Sequence, residues 1–278
     1  NPRASVSSIF GGEMEPNFIK PEHPLTMSWF DNREPAESPV DVDHAADTLA
    51  GSLESGRLQS RHMKEEIEYT VYLPPGYADS ETVYPVVFVH DGRVAIESGN
   101  QAAIVDGLIQ TQTVRSGIVV FIHKRFYPLS GAAGYPKMFA RELLPQIAGA
   151  YRVSTRRQER ASLGGGFGAT LALQATLPIS DRIGRVGCHS PFAFDYMHSE
   201  IRKLSEQSRA PVEVRIQWGT FEMRNPSENW DMSVQARAIA GRLSEGRHAV
   251  FAESTDAGSD WVCWRTESTL MWQFLLHE

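Results

Sequence analysis

Polar and apolar residues alternate from Glu66 onward, with Ile67, Tyr69, Val71 and Leu73 on one side and Glu66, Glu68 and Thr70 on the other. A period of two is that of a half-exposed strand, and Pro74-Pro75-Gly76-Tyr77 ends it. Two uninterrupted apolar runs follow, 86–89 and 118–122, with a helical stretch at about 101–109 between them. Short runs of this kind suit strands buried on both faces. The rhythm continues with a helix at about 136–150, a strand ending at 163–165 and a helix through 170–176. Strands at 185–188, 212–218 and 248–253 come next, with helices at about 230–243 and 266–276. Alternation of strand and helix predicts a mostly parallel sheet covered on both faces, with the first strand or two antiparallel at one edge. Ligands of such sheets bind beyond the carboxyl ends of the strands.

Ahead of this pattern, residues 1–57 are rich in Pro, Glu, Asp and Ser, and Pro16, Pro21, Pro24, Pro35 and Pro39 break any helical period. They predict an extended arm, followed by one domain over 58–278. The formal charge of −7, from 34 acidic and 27 basic side chains, disfavours a nucleic-acid partner, which a basic face would have to hold. Cys188 and Cys263 have neither C-x-x-C spacing nor a zinc-like cluster around them, so they read as buried small hydrophobes. No run reaches the length of a membrane helix, and no charged-then-apolar leader opens the chain. A cytoplasmic location is slightly favoured; the start at Asn1 leaves a cleaved leader open. A homo-oligomer is compatible with all of this.

Chemistry is most legible at the turn Gly164-Gly165-Gly166-Phe167-Gly168-Ala169. A nucleophile elbow, G-x-S-x-G, needs small residues because the backbone turns sharply between a strand and a closely packed helix. The small residues are present, and Gly166 stands where the serine belongs. Further segments go with this turn: 69–77 (YTVYLPPGY), 84–92 (YPVVFVHDG), Glu142-Leu143-Leu144-Pro145, Ser190-Pro191-Phe192, Gly219-Thr220-Phe221-Glu222 and 257–265 (AGSDWVCWR). On these residues the chain resembles the enterochelin-esterase and feruloyl-esterase group of α/β-hydrolases, from about Ser52 to the C-terminus. The resemblance implies a three-layer α/β-hydrolase sandwich with a mostly parallel central sheet and an antiparallel edge.

It also implies a serine, carboxylate and histidine triad. Carried over, the nucleophile position is Gly166, the acid is Glu222 and the histidine position is Ser259, so only the acid survives. Without an imidazole no general base takes a proton from a hydroxyl, and without Oγ no acyl intermediate forms. The resemblance places an oxyanion hole at the amide of Phe167 and in the Asp91-Gly92-Arg93 turn. Backbone amides persist whatever the side chains are, and the helix starting at Phe167 adds its positive dipole end.

Other registers and groups compete for a role. Ser162 would be the nucleophile if Ser162-Leu163-Gly164-Gly165 were the elbow, but Arg160 then stands where a glycine belongs and the downstream segments fall out of step by four residues. His123 and His90, at strand ends, could serve as bases, although strand-end histidines are more often structural. A Cys188–His189 dyad is disfavoured because neighbouring strand residues point to opposite faces. Trp261 and Trp264 either line an apolar slot or pack the core, and Glu222 could be a structural carboxylate held by amides.

These observations predict a degenerate esterase homologue, not a conventional serine hydrolase, whose pocket binds a small ester- or carbonyl-containing ligand. Two alternatives stand beside it: a lyase, cyclase or isomerase using the oxyanion hole with Glu222 and His123, and an ester hydrolase with an unorthodox nucleophile. No metal and no organic cofactor is implied.

Overall fold

The computed structural model describes residues 49–124, 134–193, 195–222, 224–225 and 230–277. Its strands are β1 (Ser52–Ser60), β2 (Glu65–Leu73), β3 (Val86–His90), β4 (Ile118–Ile122), β5 (Arg160–Gly165), β6 (Arg185–His189), β7 (Glu213–Gly219), the short hairpin β8 (Arg224–Asn225) and β9 (Trp230–Asp231), and β10 (Ala249–Thr255). The helices used below are α1 (Gly92–Glu97), α2 (Gln101–Gln110), α3 (Tyr135–Met138), α4 (Leu144–Ala150), α5 (Phe167–Thr176), α6 (Asp195–Gln207), α7 (Met232–Ser244), α8 (Trp261–Trp264) and α9 (Ser268–Leu275).

Eight strands form one sheet in the order β1-β2-β4-β3-β5-β6-β7-β10. β2 runs antiparallel to β1 and β4, and every later pairing is parallel. This is the mostly parallel sheet with an antiparallel edge that the strand-and-helix alternation predicts, in the sandwich that the family resemblance implies. The fully apolar strands β3 and β4 send alternate residues to opposite layers. Phe88 and Val120 pack against Met138, Phe139, Leu144 and Ile147 on one face. Val87, Val89 and Phe121 pack against α2 and α9 on the other, through Val105, Leu108, Trp272 and Leu275. Helices α5, α6 and α7 extend the first layer over β6 and β7.

Two differences from the sequence pattern have physical causes. The stretch 52–57, read as part of the arm, pairs with β2 as the beginning of β1. Its side chains are almost all exposed, so no burial period marks it. The rest of the arm, 1–48, lies outside the described residues. Chain entry is fastened at Asp106, a carboxylate only 2% exposed, which accepts from the amides of Ala50 and Gly51, the Tyr72 hydroxyl and the Gln110 side chain. A buried carboxylate needs such donors to offset its desolvation. The helix read at 136–150 is present but interrupted by a π-turn, Phe139–Leu143, which an i, i+4 pattern does not reveal.

Candidate active site

β5 leads directly into α5 through Gly166, whose backbone sits at φ 55 and ψ −119. That conformation lies outside the regions open to ordinary side chains, and it produces the abrupt strand-to-helix turn of a nucleophile elbow. The amide of Gly166 donates to the carbonyl of His189 and its carbonyl accepts from Phe192, tying the turn to the end of β6. Space is not what keeps a side chain away: a Cβ on Gly166 would meet only Cη2 of Trp264, at 3.8 Å. Gly165 is different. A Cβ there would fall 2.1 Å from the Trp264 ring, so that glycine is demanded by packing.

The carboxylate position is equally well formed. β7 ends at Gly219, and three residues later Glu222 turns back so that Oε1 accepts from the Gly219 amide at 2.6 Å and from the Ser190 hydroxyl at 2.5 Å. Ser190 sits at the end of β6 with φ 43, and its oxygen also accepts from the Trp264 indole N–H at 3.1 Å. Burial raises the Glu222 carboxyl above the ordinary carboxylate range, against the pull of its hydrogen bonds from Ser190, Gly219 and Ser259. The loop after β10 brings Ser259 to this carboxylate by lying over the β7 turn, where the Phe221 amide donates to Ala257. Ser259 is buried. Glu222 and Ser259 therefore meet, with the Ser259 side chain hydrogen-bonded to the carboxylate.

On the opposite side of the elbow, the turn after β3 carries Asp91 at φ 61, opening α1. A Cβ on Gly168 would lie 3.1 Å from the His90 carbonyl and 3.4 Å from Cβ of Asp91, so this turn and the start of α5 touch. Phe167, half-buried, opens α5. The first amides of a helix have no partner within it, and both helix starts, α1 and α5, converge here. Gly92 is buried at the first position of α1. The Arg93 side chain leaves for the surface and pairs with Glu68 at 2.9 Å and Glu97 at 3.7 Å. Only its backbone remains near the elbow.

The remaining candidates are not brought to this site. His123 closes β4, and its Nε2 lies 2.7 Å from the hydroxyl of Thr70 on β2, away from the elbow. Burial and Arg93 lower its pKa. Three strand spacings separate β4 from β6, beside which Glu222 folds, hence about 14 Å; no proton passes directly between His123 and Glu222. The sheet order therefore does not bring together the two residues that the lyase, cyclase or isomerase alternative pairs. His90 is fully buried, 2.6 Å from the Tyr135 hydroxyl and packed on Phe139, and burial lowers its pKa to about 3. Ser162 is fully buried in β5 and accepts from Thr176, which leaves no access for a substrate. Cys188 faces the α5 layer while His189 stacks on Trp264, with ring centroids 5.6 Å apart and an 11° interplanar angle. The two therefore point to opposite faces. Trp261 is buried against Trp264 at 5.3 Å and close to Gly99, so it packs core and does not line a slot.

The sequence pattern assigns Ser190 no role. Its position at the end of the strand beside the elbow strand was the available signal. The structure makes it the hub between Trp264 and Glu222.

A strained glycine elbow after the fifth strand, a buried carboxylate after the seventh and a serine in the loop after the last strand gather at one end of a mostly parallel α/β sheet. The family model described as "Putative esterase" matches residues 60–271, and the chain belongs to that family. Among curated proteins, "Uncharacterized protein YjcH" of Bacillus subtilis is 20% identical over 77% of this chain and 93% of its own length. Among solved structures, a ferulic acid esterase is 18% identical with a TM-score of 0.67, covering 82% of this chain and 99% of that one. A ferric enterobactin esterase from Salmonella typhimurium is 19% identical with a TM-score of 0.67 over 82% of this chain. The match takes only 59% of that enterobactin esterase. A feruloyl esterase module from Clostridium thermocellum, complexed with sinapinate, is 15% identical with a TM-score of 0.64. Among the described residues no helix is long and apolar enough to cross a membrane.

Proposed function

We propose that this chain is a catalytically degenerate member of its family that binds a small ester- or carbonyl-containing ligand at the elbow without cleaving it. One observation carries the reading. Gly166 holds the elbow conformation with room for a side chain, yet has no hydroxyl, while Ser259 holds the histidine position against Glu222 with no basic nitrogen. A drifting, disused site would not be expected to keep the strained turn, the buried acid and two converging helix starts. What these parts still offer is attraction for a partially negative oxygen, together with a buried carboxyl that donates a hydrogen bond when protonated.

Aromatic carbonyl compounds are the first ligands to try, since one structural relative is a feruloyl esterase module complexed with sinapinate and another is an enterobactin esterase solved in the presence of 2,3-dihydroxy-N-benzoyl-glycine. The test is calorimetric titration of the protein with sinapinate and with 2,3-dihydroxy-N-benzoyl-glycine, alongside chromatography of methyl sinapate incubated with the protein. Saturable binding that is weakened by Phe167→Pro, which removes an elbow amide, with intact methyl sinapate supports the reading. Cleavage of the ester overturns it.

A further inference from the structure

The sheet ends at β1 on one side and at β10 on the other, and the two edges are built differently. β1 carries Glu54 and Arg57, exposed charges of the kind that discourage a further strand. β10 has a single ionic residue, Glu253, and its carboxylate already accepts from Arg215 and Gln217 of β7. Five of the seven β10 residues are exposed, on both faces of the strand. Phe251 is 52% exposed and leans edge-on against Phe274 of α9, with ring centroids 6.1 Å apart. Leu270, one turn earlier on α9, is 49% exposed and extends the same apolar strip.

The parallel ladder fixes which peptide groups face outward. The Ala249 amide donates to Val212 and the Thr255 carbonyl accepts from Thr220, so the odd-numbered residues of β10 turn their peptide groups toward β7. Val250, Ala252 and Ser254 turn theirs away, and among the described residues no strand pairs with that side.

We propose that β10 pairs antiparallel with β10 of a second copy of this chain, about a twofold axis at Phe251, joining two sheets into one. In this register Phe251 meets the second copy's Phe251 at a non-hydrogen-bonded position, where side chains approach most closely, and Val250 exchanges hydrogen bonds with Ala252. Glu253 falls diagonal to the second copy's Arg247, in the turn before β10, whose guanidinium donates to the Ser208 carbonyl, so the nearest charge across the join is a cation and not a second carboxylate. Shifting the axis to Ala252 would set the two Glu253 carboxylates diagonal to each other, so charge selects the Phe251 register. The α9 strips, Phe274 and Leu270 of each copy, then cover the joined edge and add to the area that a strand pair alone leaves below the size of a stable interface.

The experiment is sedimentation of the full chain across the micromolar range, for the parent, Ala252→Pro and Phe251→Lys. Ala252 donates its amide outward, so proline there removes an intermolecular bond and spares the β7 ladder; Phe251→Lys leaves every backbone bond in place and keeps the test valid if the proline variant fails to fold. The expected result is a parent at twice 31.0 kDa, with both folded variants dissociating at least about tenfold more readily. Phe251→Cys, oxidised, should join two chains through one disulfide. A parent that stays monomeric throughout the range overturns the proposal, as does a dimer that neither variant weakens. A monomer that dimerises only after removal of residues 1–48 assigns the edge to the arm and also overturns it.

Discussion

Ser190 donates its hydroxyl proton to Glu222 Oε1 at 2.5 Å while accepting the indole N–H of Trp264 at 3.1 Å. In a working triad the acid orients an imidazole and stabilises its charge. Here the acid serves the fold, joining the ends of β6 and β7 to α8 through one buried hydroxyl. Glu222→Ala is expected to leave the Ser190 hydroxyl and the Gly219 amide without their acceptor, costing about 1–3 kcal/mol of stability. Urea unfolding of the variant beside the parent measures it, and an unchanged midpoint would remove the structural role.

Adjacent glycines at the elbow should respond differently. Gly166→Ala adds a Cβ with only Trp264 nearby at 3.8 Å, so its cost is the strain of a positive-φ conformation that side chains rarely adopt, about 1–3 kcal/mol. Gly165→Ala forces a Cβ to within 2.1 Å of the Trp264 ring, and the indole must leave both its stack on His189 and its bond to Ser190. The second variant is expected to be the less stable by thermal unfolding, with altered near-ultraviolet circular dichroism from Trp264. Equal stabilities would contradict this packing.

Acid should weaken the protein through its histidines. Burial lowers His90 and His189 from 6.5 to about 3, so the folded state refuses protons that the unfolded chain accepts. The stability this represents is complete above about pH 6.5 and is lost as pH falls from there toward 3, at up to about 1.4 kcal/mol per pH unit for each imidazole. Glu222 acts in the opposite sense, because a raised carboxyl favours the folded state at low pH and loses that contribution as pH rises through its folded value. His123 and His248, also lowered by burial, act in the same direction as His90 and His189. Urea midpoints at about pH 7.5 and 5.5 should therefore fall with acidification, and a flat profile would mean the imidazoles are not buried neutral.

His123 should be silent at the elbow. Its imidazole is held by Thr70 on the β2 side of the sheet, so His123→Ala is expected to leave ligand titrations at the elbow unchanged. Loss of binding on that substitution would restore the rejected pairing with Glu222.

Much of this was legible in the chain because the signals are local. Buried parallel strands show as short apolar runs, and an elbow needs its small residues in sequence, so the sheet and the glycine turn at Gly166 are legible locally, whereas Glu222 and Ser259 are pointed to only by the family resemblance. Other features depend on contacts that no period records. Strand β1 has no burial pattern to read, the outward path of Arg93 is set by Glu68 and Glu97, and the bond between Ser190 and Glu222 joins residues 32 apart in sequence. Helix α6 does carry a local signal, since Met197, Ile201 and Leu204 recur at helical spacing. Trp261 reads equally as slot or core until its neighbours Gly99, His189 and Trp264 are in place.

If the chain is an esterase scaffold short of two side chains, restoring them should restore hydrolysis. The measurement is hydrolysis of p-nitrophenyl acetate and butyrate by the parent and by the double revertant Gly166→Ser with Ser259→His. An inert parent and a revertant at least about a hundredfold faster are expected, well inside the roughly 10⁶ that a complete triad supplies. A parent that already hydrolyses both esters at the revertant's rate would contradict that expectation.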